Sequence, residues 1–383
     1  MTTTDGAGSG VSDEHVAVTR LSSLPALGPR RLRAMMRNGS PSSIESSLRA
    51  GRRITADSVE LHDGWRRALR TAPSDAEIRR RLSAMRVVLL GEPHYPASLA
   101  ADPTAPAAVF FRGDLSVIDR HRRVAVIGTR RATEHGRGSA HDLGRVLAAN
   151  GVSVASGLAL GIDAAAHRGV LSVNGAPPIG VVASGLDVVY PRTNARLWSD
   201  VAETGVLISE SPPGTEPDRF RFPLRNRIIA ALADVVVVVE SRETGGSMLT
   251  VNEALSRDVP VMAVPGATRS LASGGTNALL RDGALVAASP DDVLAILGLT
   301  TVRYGRAVGD VGELRPVPIG IDREVLSVMT SDPRSLDDIA RACPSRTLGD
   351  VALGLGRLEA NGWVVCTDGW FELAHPSSPC SVP

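Results

Sequence analysis

The chain has 383 residues, with 43% hydrophobic and 22% charged residues, which suits a globular protein of two or three domains rather than a fibrous or disordered one. Its formal net charge is +1, yet all 42 basic residues are arginines. A P-loop lysine and a Schiff-base lysine are thereby excluded, and phosphate would have to be held by guanidinium forks, hydroxyls and backbone N–H groups.

The three cysteines, Cys343, Cys366 and Cys380, lack C-x-x-C spacing, so neither a disulfide framework nor a zinc site is expected. Met1 to His15 carries no signal-peptide pattern, and no apolar run approaches the roughly 18 residues of a membrane span. A cytoplasmic protein without membrane contact is expected.

Residues 1–15 are small and polar and are expected to form a disordered tail. From 16 to 85 the pattern predicts a small helical domain, of sterile-alpha-motif (SAM) or helix-hairpin-helix type. Arginines such as Arg30-Arg31, Arg52-Arg53 and Arg79-Arg80-Arg81 outnumber its carboxylates. Leu24-Pro25-Ala26-Leu27-Gly28-Pro29 predicts a tight turn between two helices; it either points N–H groups at a phosphate or simply closes the hairpin. Val87 to Ile118, rich in proline and aromatic residues, predicts short strands and turns leading into a core domain over 86–299.

Within that domain, short β-branched runs alternate with helical stretches: Val124–Ile127, Val152–Ala155, Ile179–Ala183, Val206–Ile208, Val235–Val239 and Val261–Val264. Runs without polar alternation suit strands buried on both faces, and Ala140–Asn150 and Gly246–Arg257 are long enough for crossover helices. The expected fold is α/β: a Rossmann-like, doubly wound, mostly parallel sheet. A polar linker over 300–320 leads to a module at 321–375, and residues 376–383 form a second tail. In the module, helices at Glu324–Met329, Leu336–Ala342 and Leu348–Asn361 precede a β pair, Trp363–Thr367 and Trp370–Leu373, joined by Asp368-Gly369. That order predicts a winged helix, which would bind either duplex DNA or protein.

In an open parallel sheet, ligands bind outside the carboxyl ends of the strands. Here nearly every predicted strand ends in small or polar residues: Gly128-Thr129-Arg130-Arg131, Ser156-Gly157, Ser184-Gly185, Ser209-Glu210, Glu240-Ser241-Arg242 and Pro265-Gly266. The repetition around one rim predicts a binding site there. The first turn is not G-x-G-x-x-G and the second strand ends in no acid, so a dinucleotide cofactor is not expected. His135 and His141 are badly spaced for a metal, and Asp163 with His167 is an isolated pair in which His167 is expected to be packed or capping. No cofactor, metal or catalytic triad is expected.

The most distinctive run is Arg219-Phe220-Arg221-Phe222-Pro223-Leu224-Arg225-Asn226-Arg227. Arginine suits phosphates, asparagine a base edge, and phenylalanine a stacking surface. Alternatively, Phe222 packs in the core and some of these arginines pair with acids such as Glu210 and Asp218. Gly245-Gly246-Ser247-Met248 opens a helix with free N–H groups suited to an anion. Arg130, Arg192 and Arg242, at other strand ends, would complete a positive groove.

Taken together, these residues resemble the DNA-processing protein A (DprA/Smf) family. The resemblance runs from Val124 to Val286 through Ile127-Gly128-Thr129-Arg130, Ser156-Gly157-Leu158-Ala159, Gly161-Ile162-Asp163, Gly185-Leu186-Asp187, Ser209-Glu210-Ser211-Pro212-Pro213-Gly214, Phe222-Pro223-Leu224-Arg225-Asn226-Arg227 and Val264-Pro265-Gly266. It implies a homodimeric, cytoplasmic, non-enzymatic protein that binds single-stranded DNA and loads the RecA recombinase during natural transformation. The implied DNA-binding set is Gly128, Arg130, Ser156, Gly157, Gly161, Gly185, Arg192, Phe222, Arg225, Asn226, Arg227, Arg242, Gly246 and Ser247. Departures from the family pattern at Leu160, Pro177-Pro178 and Gly245 alter its phosphate contacts. Two other readings compete. A nucleotide N-glycosidic-bond hydrolase is suggested by Thr250 and Glu253 after Gly245-Gly246, and a recombination adaptor would not touch DNA at all.

Overall fold

The structure is a computed structural model that describes residues 10–299, 316–329, 333–367 and 369–374. Most of the expected linker, Asp368 of the expected hairpin turn and the tail at 376–383 lie outside the described residues. The chain divides into two compact units, Met1–Val302 and Arg303–Pro383.

The first unit opens with five helices: α1 (Asp13–Ser22), α2 (Pro29–Met36), α3 (Pro41–Arg49), α4 (Val59–Arg70) and α5 (Asp75–Leu82). Four of them start where a serine hydroxyl accepts from the first turn, at Ser12, Ser40, Ser58 and Ser74. Helix α1 begins inside the stretch expected to be tail, because Ser12 and His15 form a reciprocal cap there. Buried Arg20 ties three of these helices together, through Glu45 at 2.7 Å and Asp75.

In chain order there follow β1 (Arg86–Leu89), α6 (Ala97–Ala100), β2 (Ala108–Gly113), α7 (Val117–Arg120), β3 (Arg122–Ile127), α8 (Glu134–Ala149), β4 (Val152–Ser156), α9 (Ile162–Leu171) and β5 (Ile179–Val182). Then come α10 (Ala195–Thr204), β6 (Val206–Ser209), α11 (Arg221–Leu232), β7 (Val235–Val238), α12 (Ser247–Leu255), β8 (Val261–Ala263), α13 (Gly274–Arg281), β9 (Leu285–Val286) and α14 (Pro290–Ile296). The nine strands form one sheet in the order β1-β2-β6-β5-β4-β3-β7-β8-β9. From β6 to β9 every pairing is parallel, while β1 and β2 add an antiparallel edge. The expected doubly wound, mostly parallel sheet is therefore present, and Val87–Ile118 contributes two strands to that same sheet.

The apolar runs are continuous because alternate residues serve different layers. Val124 and Val126 face α8, α9 and α14; Ala125 and Ile127 face α11, α12 and α13. Over the β1-β2-β6 end, the first of these faces is covered by the N-terminal helices and α10. Leu21, Trp65 and Leu82 share one core there with Leu89, Phe110, Trp198 and Leu207.

The second unit contains α15 (Gly320–Ser327), β10 (Arg334–Ser335), α16 (Leu336–Ala342), α17 (Leu348–Ala360), β11 (Val364–Thr367) and β12 (Trp370–Leu373). Its small antiparallel sheet has the order β10-β12-β11 and packs with the helices around Val325, Ile339, Val351, Leu355 and Val364. Ser335 with Asp338, and Thr347 with Asp350, form capping boxes that set the starts of α16 and α17.

Candidate nucleic-acid interface

Strand order reverses between β3 and β7: the chain steps from β3 through β4 and β5 to β6, then returns to lay β7 on the other side of β3. The crevice outside the carboxyl ends of these two strands is the topological switch point. Four strand-end loops are laced together at its floor by three backbone hydrogen bonds. The Thr129 N–H donates to the Glu240 carbonyl at 2.7 Å, the Ile162 N–H to the Thr129 carbonyl at 3.3 Å, and the Gly275 N–H to the Ser241 carbonyl at 2.7 Å. Gly161 has φ +78°, and a Cβ there would lie 2.3 Å from the Thr129 carbonyl oxygen, so only glycine fits this crossing. Gly128 lies beneath the Ile162 side chain, at the same crossing.

Arg130 projects from this floor. Its guanidinium carbon lies 4.5 Å over the Phe222 ring, and Phe222 is 5.9 Å from the ring of half-exposed Tyr190. Arg130, Arg131, Arg192 and Arg242 are all exposed and have no carboxylate partner among the described residues. The loop carrying Arg130 and Arg131 is pinned from below by buried Glu240. This carboxylate accepts from the Thr133 N–H at 2.9 Å and the Thr133 hydroxyl at 2.5 Å, at the positive end of α8. Gly246 caps α12 and is exposed; the Ser247 hydroxyl donates to that of Ser241 at 2.7 Å.

The arginine run on α11 divides differently from the expectation of a shared groove. Arg225 is buried and donates from Nη1 to the carbonyls of Gly157, at 2.8 Å, and Val181; its Nε reaches Asn226 Oδ1 at 3.2 Å. Burial pushes this guanidinium down to about 10, a shift that buried Asp163 opposes and Arg130 reinforces. Arg227 is ion-paired to Glu210 and donates to the Thr104 carbonyl at 2.7 Å. Arg225 and Arg227 therefore secure strand ends and loops rather than present free forks, because the protein's own carbonyls and carboxylate occupy their donors. Asn226, placed beside Arg225, is buried as well. A Cβ on Gly157 would meet the Arg225 guanidinium at 2.1 Å, which explains the glycine after β4.

The Ser156 hydroxyl is likewise internal, donating to the Val126 carbonyl at 2.6 Å. Gly185 packs against Asp187 and the Pro212 carbonyl at the end of β5. Asp163 is buried, with its carboxyl pushed up by burial, and accepts from the Gly157 N–H at 3.2 Å. His167 is fully buried, and burial takes its imidazole down to about 4, so it is a neutral core residue as expected. Glu253 is ion-paired to Arg257 at 2.6 Å. Tyr190, which extends the Arg130–Phe222 stack, is not in the DNA-binding set expected from sequence; the available signal was its place in the motif that begins Gly185-Leu186-Asp187 and carries the resemblance.

Fold and rim together define a Rossmann-like α/β protein with an arginine-lined, aromatic-backed switch-point crevice. Residues 86–298 match the family model described as DNA recombination-mediator protein A. A putative DNA processing protein DprA from Mycobacterium tuberculosis H37Rv is 34% identical over 364 residues, covering 90% of each chain. DprA of Streptococcus pneumoniae R6 is 38% identical over 201 residues, 52% of this chain and 70% of that one. The chain belongs to the DprA family.

Solved structures agree. The S. pneumoniae DprA crystal structure superposes with a TM-score of 0.60 at 28% identity, over 75% of this chain and 98% of that one. A Helicobacter pylori DprA structure, whose description concerns that protein's single-stranded DNA binding mode, gives 0.50 at 30% identity over 55% and 95%.

Proposed function

We propose that the chain binds single-stranded DNA across the switch-point rim and acts in DNA processing and recombination without a catalytic step. The observation that carries this reading is the Arg130–Phe222–Tyr190 stack, on a rim that also carries exposed Arg131, Arg192 and Arg242, none of them ion-paired among the described residues. Guanidinium groups with no internal carboxylate suit phosphates, and an aromatic face beside them suits an unpaired base. The likeness to H. pylori DprA supports the same ligand. The reading extends to a homodimer that hands its strand to RecA, which membership of a recombination-mediator family supports. Glu253, the general base of a hydrolytic alternative, is already held by Arg257.

Fluorescence anisotropy of a labelled single strand against the matched duplex, across a salt series, tests this. With about four arginine contacts, log K should fall against log salt with a slope of about −3 for the single strand. Equal affinity for duplex and single strand, or no salt dependence, would overturn the reading. The RecA step is tested separately, by whether the protein accelerates RecA filament assembly on a strand covered by single-strand-binding protein.

A further inference from the structure

A second basic surface lies away from the switch point, where the turn between α1 and α2 faces the segment from β6 to α11 across an open groove of about 1460 Å³. Eight arginines and four carboxylates line it, with no lysine, so it is net positive. Its floor is built: Arg33 donates to the Ala105 carbonyl at 2.9 Å and Arg227 to the Thr104 carbonyl at 2.7 Å, which holds the 102–105 loop in place. Arg30 and Arg37, by contrast, are exposed and have no intramolecular partner among the described residues. Spaced seven residues apart on and just after α2, they stand on one side of that helix, about 10 Å apart along its axis.

The first turn of α11 is the wall between the two surfaces. Phe222 belongs to the switch-point stack and does not line the groove. Phe220 and Arg221 do line it. Phe220 is 57% exposed, a large apolar ring left in water, and the Arg221 guanidinium carbon lies 4.9 Å from its centroid. One helix turn thus presents two arginine–phenylalanine stacks, one to each side.

Building on the proposed function, we infer that the bound single strand passes over the first turn of α11 and continues into this groove. Phe220 with Arg221 forms a second base-stacking platform there, and Arg30 and Arg37 hold the phosphates that follow. Phe220 offers an open face to an unpaired base, which a duplex cannot supply, so the occupant is single-stranded nucleic acid. The arrangement predicts a length threshold: a strand too short to leave the crevice gains nothing from the groove.

The test compares anisotropy titrations of the full chain with labelled strands of about 6 and 30 nucleotides, spanning the site sizes usual for such grooves. Phe220→Ala should weaken binding of the long strand about ten-fold, within the range for losing one stacked base, and Phe220→Trp should restore it. Arg30→Ala with Arg37→Ala should weaken it too, and flatten its salt slope by about 1.4. None of these changes should move the short strand's affinity. If the long strand binds the variants as it binds the wild type, while Arg130→Ala weakens both lengths, the groove is no part of the path and the crevice reading stands. If the groove variants weaken a 30-base-pair duplex as much as the single strand, the stacking platform is refuted. If the wild type binds neither strand, the proposed function falls and this inference with it.

Discussion

Arg130 and Arg225 carry the same side chain into opposite situations. Arg130 lies exposed over a phenylalanine ring with no ion pair among the described residues, whereas Arg225 is buried with its donors on two strand-end carbonyls. Arg130→Ala should therefore lower single-strand affinity and flatten the salt slope by about 0.7, with little change in stability. Arg225→Ala should act through the fold. It strips hydrogen bonds from the ends of β4 and β5 and leaves buried Asp163 without its main opposing charge, a loss of about 3 kcal/mol visible as a lower urea midpoint. An Arg225→Ala protein of unchanged midpoint and reduced salt slope would return that residue to the groove.

His167 belongs to the same scale. Its folded-state pKa of about 4 lies below the ordinary 6.5, so the unfolded chain takes up a proton that the folded chain refuses. The stability held by the neutral imidazole is complete above pH 6.5 and is lost as pH falls toward 4, by on the order of 3 kcal/mol. Urea titrations at pH 7 and pH 4.5 check this: the midpoint of a His167→Leu variant should shift less between them than that of the wild type.

At the scale of elements, the decisive feature is how loops at the carboxyl ends of the strands are held. Glu240, at the end of β7, braces the start of α8 through Thr133 and so fixes the loop that presents Arg130 and Arg131. Charge alone would make Glu240→Ala a better binder of a polyanion. The bracing argument gives the reverse sign: freeing the loop raises the ordering entropy lost on binding, and affinity should fall several-fold. Tighter binding by Glu240→Ala in the same anisotropy assay would contradict the bracing role. The starts of α16 and α17 were legible in the residues themselves, since Ser335 and Thr347 each sit three residues before an aspartate that completes a cap, whereas the Ser12–His15 cap of α1 lies in a stretch expected to be tail. Pairing was less so. Val87–Leu89 and Ala108–Phe111 have the look of strands, but nothing local says that β2 joins β6, a partner nearly a hundred residues later, in antiparallel register.

For the molecule as a whole, the N-terminal helices complete the first unit's core. Leu21, Trp65 and Leu82 pack in one cluster with Phe110, Trp198 and Leu207 of the sheet layer. A chain starting at residue 86 would expose that apolar face, and we expect it to aggregate or to melt well below the full-length protein in calorimetry. A truncated chain as stable and monodisperse as the full one would show these helices to be dispensable cover.

The sequence by itself determined the α/β class, the positions of the six central strands, the rim on which small and polar residues collect, and the family. The first three follow from local pattern, β-branched runs without polar alternation and small or polar residues where those runs end, and the family follows from the resemblance of its motifs. Only the tertiary structure decided which arginines are free. Arg225 and Arg227 stand beside Phe222 in the chain, but their donors meet carbonyls and a carboxylate contributed by β4, β5, β6 and the loop before β2. Arg130 and Phe222, far apart in sequence, come into contact because the strand order reverses between β3 and β7. A guanidinium's availability depends on what surrounds it in space, and linear spacing carries no record of that.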